Sequence, residues 1–289
     1  MQLGVVFPQT KIGADRGAIR AYATTVEQLG YRHILAYDHV LGADRTVHQG
    51  FAGPYDIGTT FHEPLVLYGY LAAITSLELV TGVVILPQRQ TALVAKQAAE
   101  VDLLTGGRFR LGVGLGWNSV EYAALGKRFT DRGRRIAEQV ELLRLLWTQP
   151  SVTFEGRYES VIGAGLAPMP VQRPVPIWFG ANTPAALQRA GRLADGWFPQ
   201  REPGPELEAD IEQVRAAAEA AGRKPALGME GRVRLSGDTG AAAELVDAWR
   251  GLGATHVSVD TMRLGYDIDK HLAALSDLAR AVGPMAAGR

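Results

Sequence analysis

Asp38-His39 stands directly behind the short apolar run His33-Ile34-Leu35-Ala36-Tyr37. An imidazole can donate, accept or carry a proton near neutral pH, and the aspartate could fix its tautomer or bind a ligand. The pair reads equally as a loop histidine beside an aspartate that caps a turn. Gly112-Val113-Gly114-Leu115-Gly116 ends another apolar run, but Trp117 occupies the place of the third glycine in G-x-G-x-x-G. Glycine count alone favours a tight turn; the functional reading is close backbone approach to a flat ring or its tail. In Gly180-Ala181-Asn182-Thr183-Pro184, Asn182 or Thr183 can cap a helix that has Pro184 in its first turn. Free amides at such a start can take a phosphate, although most helix starts bind nothing. Arg232 and Arg234 alternate with Met229, Gly231, Val233 and Leu235. That alternation favours a polar layer inside a barrel over contact with a substrate anion.

Several chemistries are disfavoured. The chain has no cysteine, so thiol nucleophiles, iron–sulfur clusters and thiolate zinc sites are excluded. His33, His39, His48, His62, His256 and His271 show neither His-x-His nor H-E-x-x-H spacing, so no metal is expected. His62-Glu63-Pro64 reads instead as a helix start, and no G-x-S-x-G elbow is present. Lys plus Arg equals 30 and Asp plus Glu equals 30, without the basic excess of a nucleic-acid binder. No apolar run approaches a membrane span, and Met1–Pro8 does not read as a signal peptide. A soluble cytoplasmic protein acting on a small molecule is expected.

The elements that must position these residues alternate. Strand-like runs occur at Leu3–Phe7, His33–Tyr37, Leu77–Leu86, Phe109–Val113, Pro176–Phe179, Gly196–Phe198, Leu227–Leu235 and His256–Val259. Short, nearly continuous apolar runs suit parallel strands covered on both faces. Between them lie amphipathic patterns, such as Ile136, Val140, Leu143 and Trp147, then Ile268, Leu272, Leu275 and Ala279. Val94, Ala98 and Val101 mark a third helix that stops at Gly106-Gly107. Eight strand–helix repeats in 289 residues predict a single α/β domain, 1–289, folded as a (β/α)8 TIM barrel. Two long insertions, Leu41–Pro64 after the second strand and Ser151–Pro174 before the fifth, are expected to be lids. Ser151–Pro174 has the pattern of a hairpin, Val152-Thr153-Phe154 turning at Glu155-Gly156 into Arg157-Tyr158.

The order and spacing of five segments carry a resemblance: Ala36–His39, Leu79–Pro87, Leu103–Gly114, Pro176–Gly180 and Ala194-Asp195-Gly196-Trp197. With these the chain resembles the bacterial luciferase-like monooxygenase superfamily, and within it the branch dependent on coenzyme F420, a deazaflavin. The resemblance implies a flavin-type ring over the strand ends, resting on a bulge at Gly82-Val83-Val84-Ile85 with a non-prolyl cis peptide at Val83–Val84. It places the cofactor's tail and phosphate at Gly114-Leu115-Gly116-Trp117 and at Gly180-Ala181-Asn182. Trp197 joins the cofactor set, and Asp38 and His39 would lie beside the reacting ring. Sugar-phosphate dehydrogenases of the superfamily carry an acid where Trp117 stands here, which argues against their substrate. Glu121, one helical turn on, could replace that acid, although a solvated helix glutamate is its simpler reading.

The expectation is hydride transfer between coenzyme F420 and a small organic substrate, with His39 tuning charge or relaying a proton. A monooxygenase using reduced FMN and oxygen is the first alternative, and a non-catalytic flavin-binding protein the second. A metal-dependent hydrolase on the same fold lacks its ligand pattern. Relatives often form dimers through barrel helices, so a homodimer is expected.

Overall fold

Every apolar run proposed as a strand finds a parallel partner. In the computed structural model, which describes residues 1–223 and 227–283, the chain runs β1 Gln2–Val6, α1 Gln9–Ile12, α2 Arg16–Gln28, β2 His33–Ala36 and α3 Pro64–Ala72. It continues through β3 Glu78–Thr81, β4 Val84–Ile85, α4 Thr91–Thr105, β5 Phe109–Gly114, α5 Ser119–Ala124 and α6 Arg132–Thr148. Then follow β6 Val152–Glu155, β7 Ser160–Ala164, β8 Ile177–Ala181, α7 Pro184–Leu193, β9 Gly196–Pro199 and α8 Pro205–Ala220. The last elements are β10 Gly228–Arg234, α9 Thr239–Gly251, β11 His256–Asp260 and α10 Ile268–Val282. The sheet order β3-β2-β1-β11-β10-β9-β8-β5-β4 closes through a β3–β5 pairing. This is the expected eight-stranded parallel barrel, with β3 and β4 sharing one position.

That shared position departs from the sequence reading. The run Leu77–Leu86 has the composition of one strand, yet it breaks. Val80 pairs with Arg110, whereas Val84 pairs with Val113, so four steps on one strand face three on the other. One extra residue makes a β-bulge. The cis peptide is Gly82–Val83, one bond earlier than the expected Val83–Val84. Gly82 presses on Leu35, and a Cβ there would stand 2.3 Å from the leucine Cδ2, so only glycine fits this passage.

The bulge is held from three sides. Thr81 Oγ1 donates to the Gly112 carbonyl at 2.8 Å, and the Gly82 amide donates to Ala36 O at 2.8 Å. From α3, Tyr68 takes the Ala36 amide at 2.9 Å and donates to Val80 O, tying β2 to β3. The Asp38 carboxylate accepts from the Ile85 amide at 3.0 Å and pairs with Arg89 at 2.7 Å.

The barrel interior is filled, not hollow. Near the strand starts, Arg110 bonds Glu78 at 2.8 Å and Glu230 at 2.9 Å. His33 reaches Ser258 at 2.9 Å and Glu230 at 3.1 Å. Burial acts to raise the Glu230 pKa, but His33, Arg110 and Ser258 outweigh it and hold the carboxylate far below its ordinary range. One layer nearer the C-terminal ends, Val6, Leu35, Val80, Trp178, Phe198 and Met262 form an apolar plug, with Val83 and Tyr37 packed on it. The larger apolar core lies between strands and helices and contains Val84 and Trp197.

The two insertions diverge. Leu41–Pro64 folds over the C-terminal ends, clamped by Arg45, which bonds Asp56 at 2.7 Å, Phe51 O at 3.0 Å and Gly53 O at 2.8 Å. Glu63 caps α3 by accepting from the Val66 amide at 2.7 Å, with Pro64 in the first turn as expected. Ser151–Pro174 is not a lid: none of its residues lines the cavity at the strand ends. Glu138 on α6 captures its turn, accepting from the amides of Arg157, Tyr158 and Glu159. That capture makes residues 157–159 turn residues, so the returning arm is Ser160–Ala164 rather than Arg157-Tyr158. Gln172 then bonds Asp102 at 2.7 Å and Phe109 O at 2.8 Å, at the opposite end of β5 from the mouth.

Candidate active site

A cavity of about 750 Å³ opens at the C-terminal strand ends, within the usual range for small-molecule sites. Its floor is the bulge. The Val83 side chain lies against the last residue of β5 and the penultimate one of β8, both glycine: a Cβ on Gly114 would stand 2.4 Å from Val83 Cγ2, and one on Gly180 3.5 Å from Cγ1. Glycine at these positions therefore admits the valine, whose side chain lines the base of the cavity. Gly116, with φ +64, turns the chain away, and its own missing Cβ makes room for Ile85 at 2.8 Å.

The structure brings most of the anticipated residues to this cavity. Asp38, His39, Gly82, Val83 and Ile85 line it, as do Gly114, Leu115, Gly116, Trp117, Gly180, Ala181 and Asn182. Val84 and Trp197 do not line it. Both are buried in the outer core, because side chains alternate along a strand and theirs point to the helices. Phe198, next to Trp197, is the residue that faces the mouth.

His39 is held by rings. Phe61 lies 4.7 Å from it, Tyr55 and Trp117 5.2 Å each, centroid to centroid. Such edge contacts orient an imidazole without consuming its nitrogens. Its carboxylate neighbour is Glu121, whose Oε1 is 3.8 Å from Nδ1, close enough for attraction but too long for a hydrogen bond. Asp38 does not play that part, because Arg89 and the Ile85 amide occupy its oxygens. Burial pushes the Asp38 carboxyl above its ordinary value, against the opposing pull of Arg89 and that amide.

Glu121 is not a solvated helix residue. It is 1% exposed, accepts from the Val40 and Leu41 amides and from Gln88 Nε2 at 2.9 Å, and fixes the loop behind His39. Burial acts to raise its pKa, but His39, Gln88 and the two amides outweigh burial and hold it below the ordinary glutamate value. Trp117 is the surface on which the long insertion rests, since a Cβ on Gly53 would be 2.0 Å from its ring.

Arginines complete the mouth. Arg132, at the start of α6, stacks on Phe129 at 3.7 Å and leaves its buried Nε without a hydrogen-bond partner. Thr183, beside it in the wall, caps α7. Across the opening stand Arg232, Arg234 and Arg263. The preference for Arg232 and Arg234 as an internal polar layer is corrected here. Along β10, Glu230 supplies the internal layer, and two and four residues on the same face rises into the cavity. Alternation shows which face a residue takes; it does not show how far along the strand the interior ends. Arg132, Asp260 and Arg263 carried no sequence signal of their own.

The valine floor, the glycines beside it and the unpartnered Arg132 Nε suit a ring with an anionic tail, and the fold and sequence comparisons bear on which ring. The sequence model described as luciferase-like monooxygenase matches residues 1–282. The chain belongs to the luciferase-like monooxygenase family. This luciferase-like chain is 32% identical to an F420-dependent hydroxymycolic acid dehydrogenase of Mycobacterium tuberculosis over 260 residues, 86% of this chain and 66% of that one. It is 30% identical to an FMNH(2)-dependent dimethylsulfone monooxygenase of Pseudomonas putida over 200 residues, 68% of this chain and 54% of that one. Thus it spans between 54% and 66% of the length of these curated relatives. Its fold matches that of the monooxygenase RslO1 from Streptomyces bottropensis with a TM-score of 0.78 at 20% identity, covering 97% of this chain and 98% of the other. The relatives of the luciferase-like chain thus include proteins named as F420-dependent and as FMNH(2)-dependent. No helix among the described residues is long and apolar enough to cross a membrane.

Proposed function

We propose that this enzyme transfers hydride between coenzyme F420 and a small organic substrate at the mouth of the barrel. The observation that carries the reading is the floor formed by Val83 between Gly114 and Gly180 at the base of a cavity of about 750 Å³. The relative named as F420-dependent aligns with 86% of this chain, which favours the deazaflavin over FMN. Bound there, the deazaflavin supplies or accepts the hydride, and the protein's part is binding, orientation and proton handling.

Val83 and Ile85 would support the ring, with the Gly114–Trp117 turn beside it in the cavity wall. Arg132 and the α7 start, where Thr183, Asn182 and Ala181 line the wall, hold the phosphate. His39 holds or moves a proton at Nε2, because Nδ1 is turned towards Glu121. Glu121 acts through His39 and the Val40–Leu41 backbone; it positions, and does not touch the substrate. The Tyr55, Phe61 and Trp117 rings exclude water beside the imidazole.

Titration of the purified protein with coenzyme F420 and, separately, with FMN tests the assignment through the fluorescence of each ring. Saturable binding of F420 at least about tenfold tighter than FMN, a difference of roughly 1.4 kcal/mol, is expected. Tighter binding of FMN would replace the reading with the monooxygenase, and binding of neither would remove both.

A further inference from the structure

Three guanidinium groups on one side of the mouth have no carboxylate partner. Arg232 and Arg234 stand on β10, and Arg263 follows β11; all three line the cavity, and none makes an ion pair within 4.0 Å among the described residues. Elsewhere Arg45, Arg89, Arg110, Arg135 and Arg201 each pair with at least one carboxylate. Arg232 is also aimed. Its guanidinium lies 5.1 Å above the Tyr37 ring, and its Nε is buried without a hydrogen-bond partner. An unsatisfied buried donor is costly unless a ligand completes it.

The single carboxylate in this wall is already committed. Asp260 accepts from Tyr37 Oη at 3.3 Å and from the Met262 amide at 2.9 Å. Burial pushes the Tyr37 phenol well above its ordinary value, so it remains a donor to Asp260. Asp260 thereby fixes Tyr37, Tyr37 fixes the Arg232 plane, and three cations face one carboxylate.

Topology separates this wall from the proposed tail site. Around the closed sheet, β10 is four places from β3, and β11 is four places from β5. In a barrel of eight positions these are diametrically opposite. A ring resting on the bulge with its phosphate towards Arg132 would therefore leave the β10–β11 side for the second reactant.

We propose that Arg232, Arg234 and Arg263 form a subsite for the substrate's own anionic group, a carboxylate or a phosphate. The substrate is thus a small organic anion. Paired guanidinium donors match the geometry of either group. This inference rests on the oxidoreductase reading for which molecule lies beside the substrate, but the anion preference can be measured without it.

The probes are benzoate, phenyl phosphate and the neutral isostere benzamide. Each is titrated by calorimetry into the cofactor-free protein, then into the F420-loaded protein while the bound cofactor's spectrum is followed. Either anion is expected to bind at least about tenfold more tightly than benzamide, and the stronger of the two identifies the headgroup. Arg232→Met and, separately, the exposed Arg263→Met are each expected to reduce that preference at least threefold with F420 affinity unchanged. Arg232→Lys is expected to retain more of the preference than Arg232→Met. Equal binding of benzamide overturns the subsite, as does an unchanged preference in both methionine variants. Loss of F420 affinity in those variants reassigns the wall to the cofactor and also overturns it. If F420 fails to bind while the anion preference holds, the F420 reading falls and the subsite stands.

Discussion

His39 has its proton chemistry arranged by others: three aromatic rings orient it, and Glu121 faces its Nδ1 from 3.8 Å. Replacement of His39 by Ala is expected to lower turnover by about 10²-fold, the lower range for a lost acid–base group. F420 affinity should change less than about threefold, since the floor and tail site remain. Turnover measured at saturating F420 beside a fluorescence titration checks the split; unchanged turnover removes His39 from the mechanism. At this scale the sequence was half legible. Asp38-His39 announces itself by following a strand, yet the partners of the aspartate stay open in the sequence, because Arg89 and Ile85 come from another part of the chain. Glu121 reads as an ordinary helix residue until the loop amides of Val40 and Leu41 are seen converging on it.

The bulge is the element on which the floor depends, and it is pinned at Gly112. A Cβ there would lie 1.8 Å from the Thr81 carbonyl oxygen, which is backbone and cannot swing aside. Gly112→Ala is expected to destabilise the protein by about 1–3 kcal/mol, the usual range for overpacking, and to weaken F420 binding as Val83 shifts. Gly69→Ala, in α3 with nothing within 4 Å of the added carbon, is the control. It should be neutral or stabilising by roughly 0.5–1 kcal/mol. Denaturant unfolding of both variants settles the comparison. Hydrophobic runs located all eight barrel positions, but not the break in the third: Val80 to Leu86 keeps a strand-like composition across the bulge, and composition does not count residues against a neighbour. The returning arm of the hairpin was misplaced for a similar reason, since Glu138, on the preceding helix, decides where the turn lies.

Over the whole molecule, the barrel's lower half stores charge in a dry place. Burial, aided by Arg110 and His33, brings the His256 pKa down to about 3, while Glu230 is held far below its ordinary value. Both groups are depressed on folding, so the unfolded chain binds more protons in acid and stability falls as pH drops. For His256 the loss begins near its unfolded value of about 6.5 and continues towards 3; the Glu230 contribution fades only at lower pH. Thermal midpoints measured from pH 7 to 4 should decline, and His256→Gln should flatten that decline; an identical slope would exclude His256 as its source. The same charged layer and the apolar plug above it leave no passage through the molecule. A ligand that enters this blind well can therefore leave only by the mouth through which it came.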